Sequence, residues 1–200
     1  MRGLIICGYP GVGKTSIAGR QNCIDLESSL FSYDVDGDPL DPNIWVSRYC
    51  AVAIDLAMQG YTVLTSTHAR VIDGFENSDD QQKIPKVIFC PRLNMKEAWT
   101  QRLKDRYQRN PSEKNWRAYE HVLKHFDKIV FLSGSTLPCF SPKDMDYDFD
   151  DCVYTIKNIV HDPFLRTLTW DEFCKYEEYH KDICVNPIAT ELYFRRIDKV

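Results

Sequence analysis

The stretch Gly8-Tyr9-Pro10-Gly11-Val12-Gly13-Lys14-Thr15, with Ser16 next, fits the phosphate-loop spacing G-x-x-x-x-G-K-[ST] at every fixed position. Upstream, Leu4, Ile5, Ile6 and Cys7 form the short apolar run of a buried first strand. Downstream, residues 15–19 read as the start of a helix. Each part has a physical task. Glycines let backbone N–H groups curl round phosphate oxygens. A helix N-terminus adds partial positive charge. The ammonium of Lys14 suits the β- and γ-phosphates of a nucleoside triphosphate such as ATP, and the Thr15 hydroxyl suits Mg²⁺.

Outward from the loop, the 200 residues suit one α/β domain with a small appendage: a domain over 1–160 and a helical extension over 161–200. The apolar share, 44%, is enough for a sizeable core, and no apolar stretch reaches the roughly 18 residues of a membrane span. The amino terminus runs straight into the loop, so it does not read as a signal peptide. A net charge of −4 without a Lys/Arg block argues against a broad nucleic-acid-binding face. Eight cysteines include no C-x-x-C pair, which disfavours a zinc knuckle or redox dithiol and suits a reducing cytoplasm.

Strands are expected over residues 3–7, 23–26, 61–67, 86–90 and 128–132. Asp41-Pro42 reads as an N-cap followed by proline at the first helical position. Trp45, Tyr49, Val52, Ala53, Leu56 and Ala57 then recur at helical spacing, up to a stop at Gly60. Asn94 with Glu97 reads as a capping box for a helix carrying Met95, Trp99 and Leu103, ended by Pro111. Ser112 opens another, with Trp116, Tyr119, Val122, Leu123 and Phe126 on one side. Residues 133–142 read as loop, and 150–160 as helix. Thr169 with Glu172, and Asn186-Pro187, open two more. Alternating strands and helices predict a three-layer α/β fold with a parallel sheet and a ligand beyond the strands' carboxyl ends.

The loop by itself predicts only a bound triphosphate. Neither 61–67 nor 86–90 ends in the adjacent acids of motor-type ATPases, and no N-K-x-D guanine reader exists. Asp34-Val35-Asp36-Gly37 reads as a turn. Asp25-Leu26-Glu27 closes the second strand, where alternation lets both carboxylates serve one side. One can take a proton from an acceptor hydroxyl and the other can help hold Mg²⁺; the bland alternative is a solvated acidic turn. Arg102, Arg106 and Arg109 share one helical face. They suit the charge growing on a transferring phosphoryl group, or else an ordinary solvated face.

With these residues in hand, the chain resembles the P-loop kinase superfamily of nucleoside monophosphate and shikimate or gluconate kinases, and is similar to small kinase-like proteins of phages and bacteria. The resemblance covers residues 1–160 and rests on Gly8 to Thr15, on Asp25 and Glu27 as a D-x-[DE] pair, and on Arg102, Arg106, Arg109 and Pro111 as a lid. It implies a P-loop NTPase fold with strand order 2-3-1-4-5 and an ATP- and Mg²⁺-dependent phosphotransferase. Thr15, Asp25 and Glu27 would serve the metal, and Lys14, Asp25 and the three arginines the chemistry. The chain departs from the family in a short first helix and in lacking the third-strand motifs that mark an acceptor.

His68 and Arg70, after the third strand, are candidates with Asp25 and Glu27 for the acceptor, a nucleoside or nucleotide being favoured. Ser66 is a weaker candidate of the same kind. Trp45 and Tyr49 read as core before base-stacking residues, and His121 with His125 as helix surface. The expected partners are a nucleoside triphosphate and a small-molecule acceptor, with no membrane; nucleic acid is disfavoured and a homodimer stays open. Two alternatives stand beside this reading: a nucleotide-binding regulatory protein without transfer activity, and a kinase acting on nucleic acid.

Overall fold

A computed structural model describes residues 3–20, 22–78, 84–129, 135–162 and 183–185. Six strands form one sheet: β1 (Leu4–Gly8), β2 (Cys23–Asp25), β3 (Thr62–Thr65), β4 (Lys86–Phe89), β5 (Cys139–Pro142) and β6 (Ile183–Val185), in the order β2-β3-β1-β4-β5-β6. The first five are the parallel 2-3-1-4-5 sheet of a three-layer α/β fold, and β6 adds an antiparallel edge through Phe140↔Val185. The helices are α1 (Lys14–Ile17), α2 (Pro42–Met58), α3 (Ala69–Glu76), α4 (Lys96–Arg109), α5 (Glu113–His125) and α6 (Phe149–His161). The chain divides into two compact units: Met1–Gly8 with Lys14–Ile88, and Tyr9–Gly13 with Phe89–Val200.

In the first unit β1 is buried along its whole length, as its unbroken apolar run requires of a central parallel strand. It runs in register with β3 through Ile5↔Val63 and Ile6↔Leu64, and β3 pairs onward to β2 through Asp25↔Leu64. This brings the ends of β1 and β2, each followed by a chemistry-bearing segment, to the same edge. Helix α2 starts where the sequence predicts: the Asp41 carboxylate accepts from Asn43 N at 2.7 Å, and Pro42 needs no donor partner there. It buries Val46, Tyr49, Cys50, Ala53 and Ala57, and Gly60 leaves it at φ +98°. Helix α3 buries Val71, Ile72 and Phe75. A Cβ at its Gly74 would lie 3.0 Å from Cys50 Sγ and 3.1 Å from Val46 Cγ1, so that glycine sets how closely α3 approaches α2.

In the second unit α4 buries Trp99 and Leu103, and α6 turns Phe149, Cys152, Val153, Ile156, Ile159 and Val160 inward. Ser112 caps α5, its hydroxyl accepting from Asn115 N at 3.2 Å. Phe89 meets Phe149 at a ring separation of 5.2 Å.

Three expectations are corrected here. Of the strand expected over 128–132, Lys128 instead ends the 3₁₀ turn Phe126–Lys128 and residues 130–132 lie outside the described residues, while the fifth described strand is Cys139–Pro142, in the stretch that reads as loop. Tertiary pairing decides it, with Cys90 N donating to Phe140 O at 3.0 Å. The Asn94–Glu97 capping box does not form, because Leu93–Met95 is a 3₁₀ turn and α4 begins from Met95 without a side-chain cap. The α5 face is narrower than its apolar spacing implies: Val122 and the following Phe126 are buried, while Trp116 and Leu123 stand exposed. Helices opened by Thr169 and by Pro187 lie outside the described residues.

Candidate functional site

The loop after β1 is a tight turn with two positive-φ glycines, Gly11 at +88° and Gly13 at +108°, conformations that only glycine adopts without strain. Four of its carbonyls, those of Gly8, Tyr9, Pro10 and Val12, accept hydrogen bonds from the protein. Lys14 Nζ donates to Gly8 O, closing the loop over itself. Val12 N donates to Tyr9 O at 3.3 Å. Helix α1 spans four residues, the short first helix that the sequence implies, so it carries little macrodipole. Any positive pull on an anion here falls to Lys14 and the loop peptides.

In the first unit, Thr15 Oγ1 donates to Asp25 Oδ2 at 2.9 Å, joining the end of the loop to the end of β2. Glu27 follows two residues on, half-buried, at the start of the 3₁₀ turn Ser28–Leu30. One residue that sequence reasoning assigned to the core holds this edge together. Tyr49, fully buried on α2, donates its hydroxyl to Leu26 O at 2.7 Å and accepts from Ser66 N at 3.2 Å. The carboxylate-bearing end of β2 is thereby tied to the end of β3. Phe31 and Trp45 pack edge-on against the same ring, at 5.2 and 6.2 Å. Ser66 Oγ is buried there without a hydrogen-bond partner.

His68 stands at the N-cap of α3 and Arg70 in its first turn, both reaching solvent. The imidazole is held below its ordinary pKa, first because surrounding protein atoms displace part of its water and second because the Lys14 ammonium opposes a second positive charge. It is a neutral donor and acceptor at physiological pH.

In the second unit, the segment Tyr9–Gly13 is packed against aromatic side chains. Trp99 Nε1 donates to Pro10 O at 2.9 Å, and Tyr147 Oη donates to Val12 O at 3.0 Å. The two rings are stacked, 6.1 Å apart and 5° from parallel. Arg102 lies over both, its guanidinium carbon 5.2 Å from the indole centre and 5.0 Å from the phenol centre, and it donates to Met145 O. Tyr9 is buried with its ring edge-on to Phe126. Of the three candidate arginines, Arg102 is thus held by this aromatic pair, Arg106 is half-buried, and Arg109 is exposed with Nε donating to Asp105 O at 3.3 Å. Trp99 and Tyr147 lie far from the motif in sequence, and nothing in their local pattern marks them.

Among the described residues no group of three or more His, Cys, Asp or Glu side chains gathers as a metal cluster, and no helix is long and apolar enough to cross a membrane. His121 and His125 meet ring to ring at 5.3 Å on α5. The described cysteines Cys7, Cys23, Cys50, Cys90, Cys139 and Cys152 are buried and reduced. No protein-family model matches the chain, and no curated protein matches it significantly.

Proposed function

We propose that the chain is a P-loop kinase-like phosphotransferase that moves the γ-phosphate of ATP to a small hydroxyl-bearing acceptor, a nucleoside or nucleotide by preference. The observation that carries this reading is the Thr15–Asp25 hydrogen bond at 2.9 Å, made directly at the end of a complete G-x-x-x-x-G-K-T loop. By donating its proton to Asp25, the Thr15 hydroxyl keeps its oxygen lone pairs for a cation. Asp25 acts as the group that orients a ligand. Hard oxygen donors of this kind fit Mg²⁺, which when bound neutralises phosphate charge. One or two protein oxygens suffice for such a site, because phosphates and water complete the shell.

The remaining roles follow from residue chemistry. Lys14 exchanges its bond to Gly8 O for phosphate oxygens, at little cost in hydrogen bonds. Glu27 and the neutral His68 are the polar groups for the acceptor hydroxyl and its proton, and Arg70, two residues after His68, is a further candidate for an anionic acceptor. Arg106 and Arg109 are the candidates for charge developing on the transferring group.

Transfer of labelled phosphate from ATP to a panel of nucleosides and nucleotides tests the proposal. Lys14→Ala is expected to abolish transfer while the far-UV spectrum stays native; unchanged turnover in that variant refutes the assignment. A second reading, nucleotide binding without transfer, is favoured by one observation: β3 ends in Thr65, followed by Ser66, rather than in an acid. Tight ATP binding with no transfer over the whole panel selects it.

A further inference from the structure

The loop carries an unusual kind of support. Two of its carbonyls, those of Pro10 and Val12, accept hydrogen bonds from side chains 89 and 135 residues further along the chain. All described peptides are trans, so each C=O and the N–H that shares its peptide plane point in opposite directions. Holding Pro10 O toward the Trp99 indole therefore turns the Gly11 N–H away from it. Holding Val12 O toward the Tyr147 phenol does the same for the Gly13 N–H. The positive φ values of Gly11 and Gly13 are what allow these two peptides to take that orientation.

The donors are themselves immobilised. Trp99 is fully buried, Tyr147 is stacked on it nearly parallel, and Arg102 bridges the two rings while bonded to Met145 O. Burial raises the Tyr147 phenol pKa above its ordinary value, which keeps its proton in place at any physiological pH.

We propose that Trp99 and Tyr147 are positioning residues for the triphosphate, fixing the orientation of the Pro10–Gly11 and Val12–Gly13 peptides, and so the loop's dipoles, before the anion arrives, and that Arg102 acts through these rings rather than on the reacting group. A preformed loop binds without the cost of ordering. This inference rests on the triphosphate reading above.

Calorimetric titration of the full chain with Mg·ATP and with magnesium tripolyphosphate tests it, on the wild type, Tyr147→Phe and Trp99→Phe. Each substitution deletes one hydrogen bond to a loop carbonyl, so each is expected to weaken both ligands about fivefold. The ratio of the two affinities should stay unchanged, because the loss lies at the phosphate end; a general loosening of the fold would shift that ratio. Tyr147→Phe removes a single oxygen, and testing both variants covers the case in which the bulkier change at Trp99 prevents folding. Wild-type affinity in a folded Tyr147→Phe protein overturns the positioning role and leaves the triphosphate reading standing. Silence of the wild type toward both ligands overturns both.

Discussion

Replacing Gly11 by alanine should destabilise the protein far more than the same change at Gly19, though both glycines have similar backbone angles, φ +88° and +80°. Each alanine must adopt a conformation that costs an L-residue about 1–2 kcal/mol. Each also gains about 0.4–1 kcal/mol by restricting the unfolded chain, equally at both sites. The difference lies in space. A Cβ at Gly19 meets nothing within 4 Å, whereas one at Gly11 would stand 2.9 Å from Leu103 Cδ2 and 3.2 Å from Trp99 Nε1. Leu103 and Trp99 are both core residues of α4, so neither swings aside freely. Forcing them costs about 1–3 kcal/mol more. For a chain of this size, roughly 2–4 °C per kcal/mol puts Gly19→Ala within about 6 °C of wild type and Gly11→Ala about 2–18 °C below it. Thermal unfolding followed by circular dichroism reads both. A Gly11→Ala protein that melts no lower than Gly19→Ala contradicts the packing of the loop on α4.

Further outcomes follow from the same geometry. The depressed His68 pKa means that the unfolded chain binds its proton first, so His68 lowers stability as pH falls through the usual histidine value, and the loss levels off below the folded value. His68→Gln should flatten that part of the stability–pH curve. Bound triphosphate should raise the His68 pKa by offsetting Lys14, a shift readable in the imidazole NMR signals; no movement at saturation contradicts the Lys14–His68 coupling. Arg102→Met should raise the KM for nucleotide and leave kcat within about threefold. Arg106→Met should lower kcat by about 10²-fold or more, as expected for a charge clamp. Equal kcat losses in both variants would contradict the division of roles. Burial pushes the Cys7 and Cys50 thiols up to about 12, so iodoacetamide at pH 8 should leave both unmodified in native protein and label them in urea.

Much of this could be read from the sequence where local chemistry and tertiary context agree. The apolar run before Gly8, the Asp41-Pro42 start of α2 and the Ser112 cap of α5 act within a few residues, and each sits where its local rule puts it. The Asp34 turn is of the same kind, its carboxylate accepting from Asp36 N and Asp38 N with Gly37 at φ +87°. Where long-range packing decides, local rules misled. Cys139-Phe140-Ser141-Pro142 has weak strand character and becomes β5 only through its neighbours. By contrast the Lys128-Ile129 start of a β-branched run continues a helical turn. Helix α3 carries no cap or proline signature, and its Gly74 is a packing contact against Cys50. At the candidate site, Thr15 and Asp25 were legible as motif members. The hydroxyl of Tyr49 and the stacked Trp99–Tyr147 pair were not, since their partners are backbone carbonyls that carry no sequence signature.

Everything proposed for this chain depends on whether the loop from Gly8 to Thr15 grips a triphosphate through Lys14. Isothermal calorimetry of the purified chain with ATP, GTP, CTP and UTP, each with and without Mg²⁺, measures that directly. The account predicts saturable one-to-one binding that strengthens with Mg²⁺ and disappears in Lys14→Ala. A folded wild-type protein that yields no saturable heat with any of the four contradicts it.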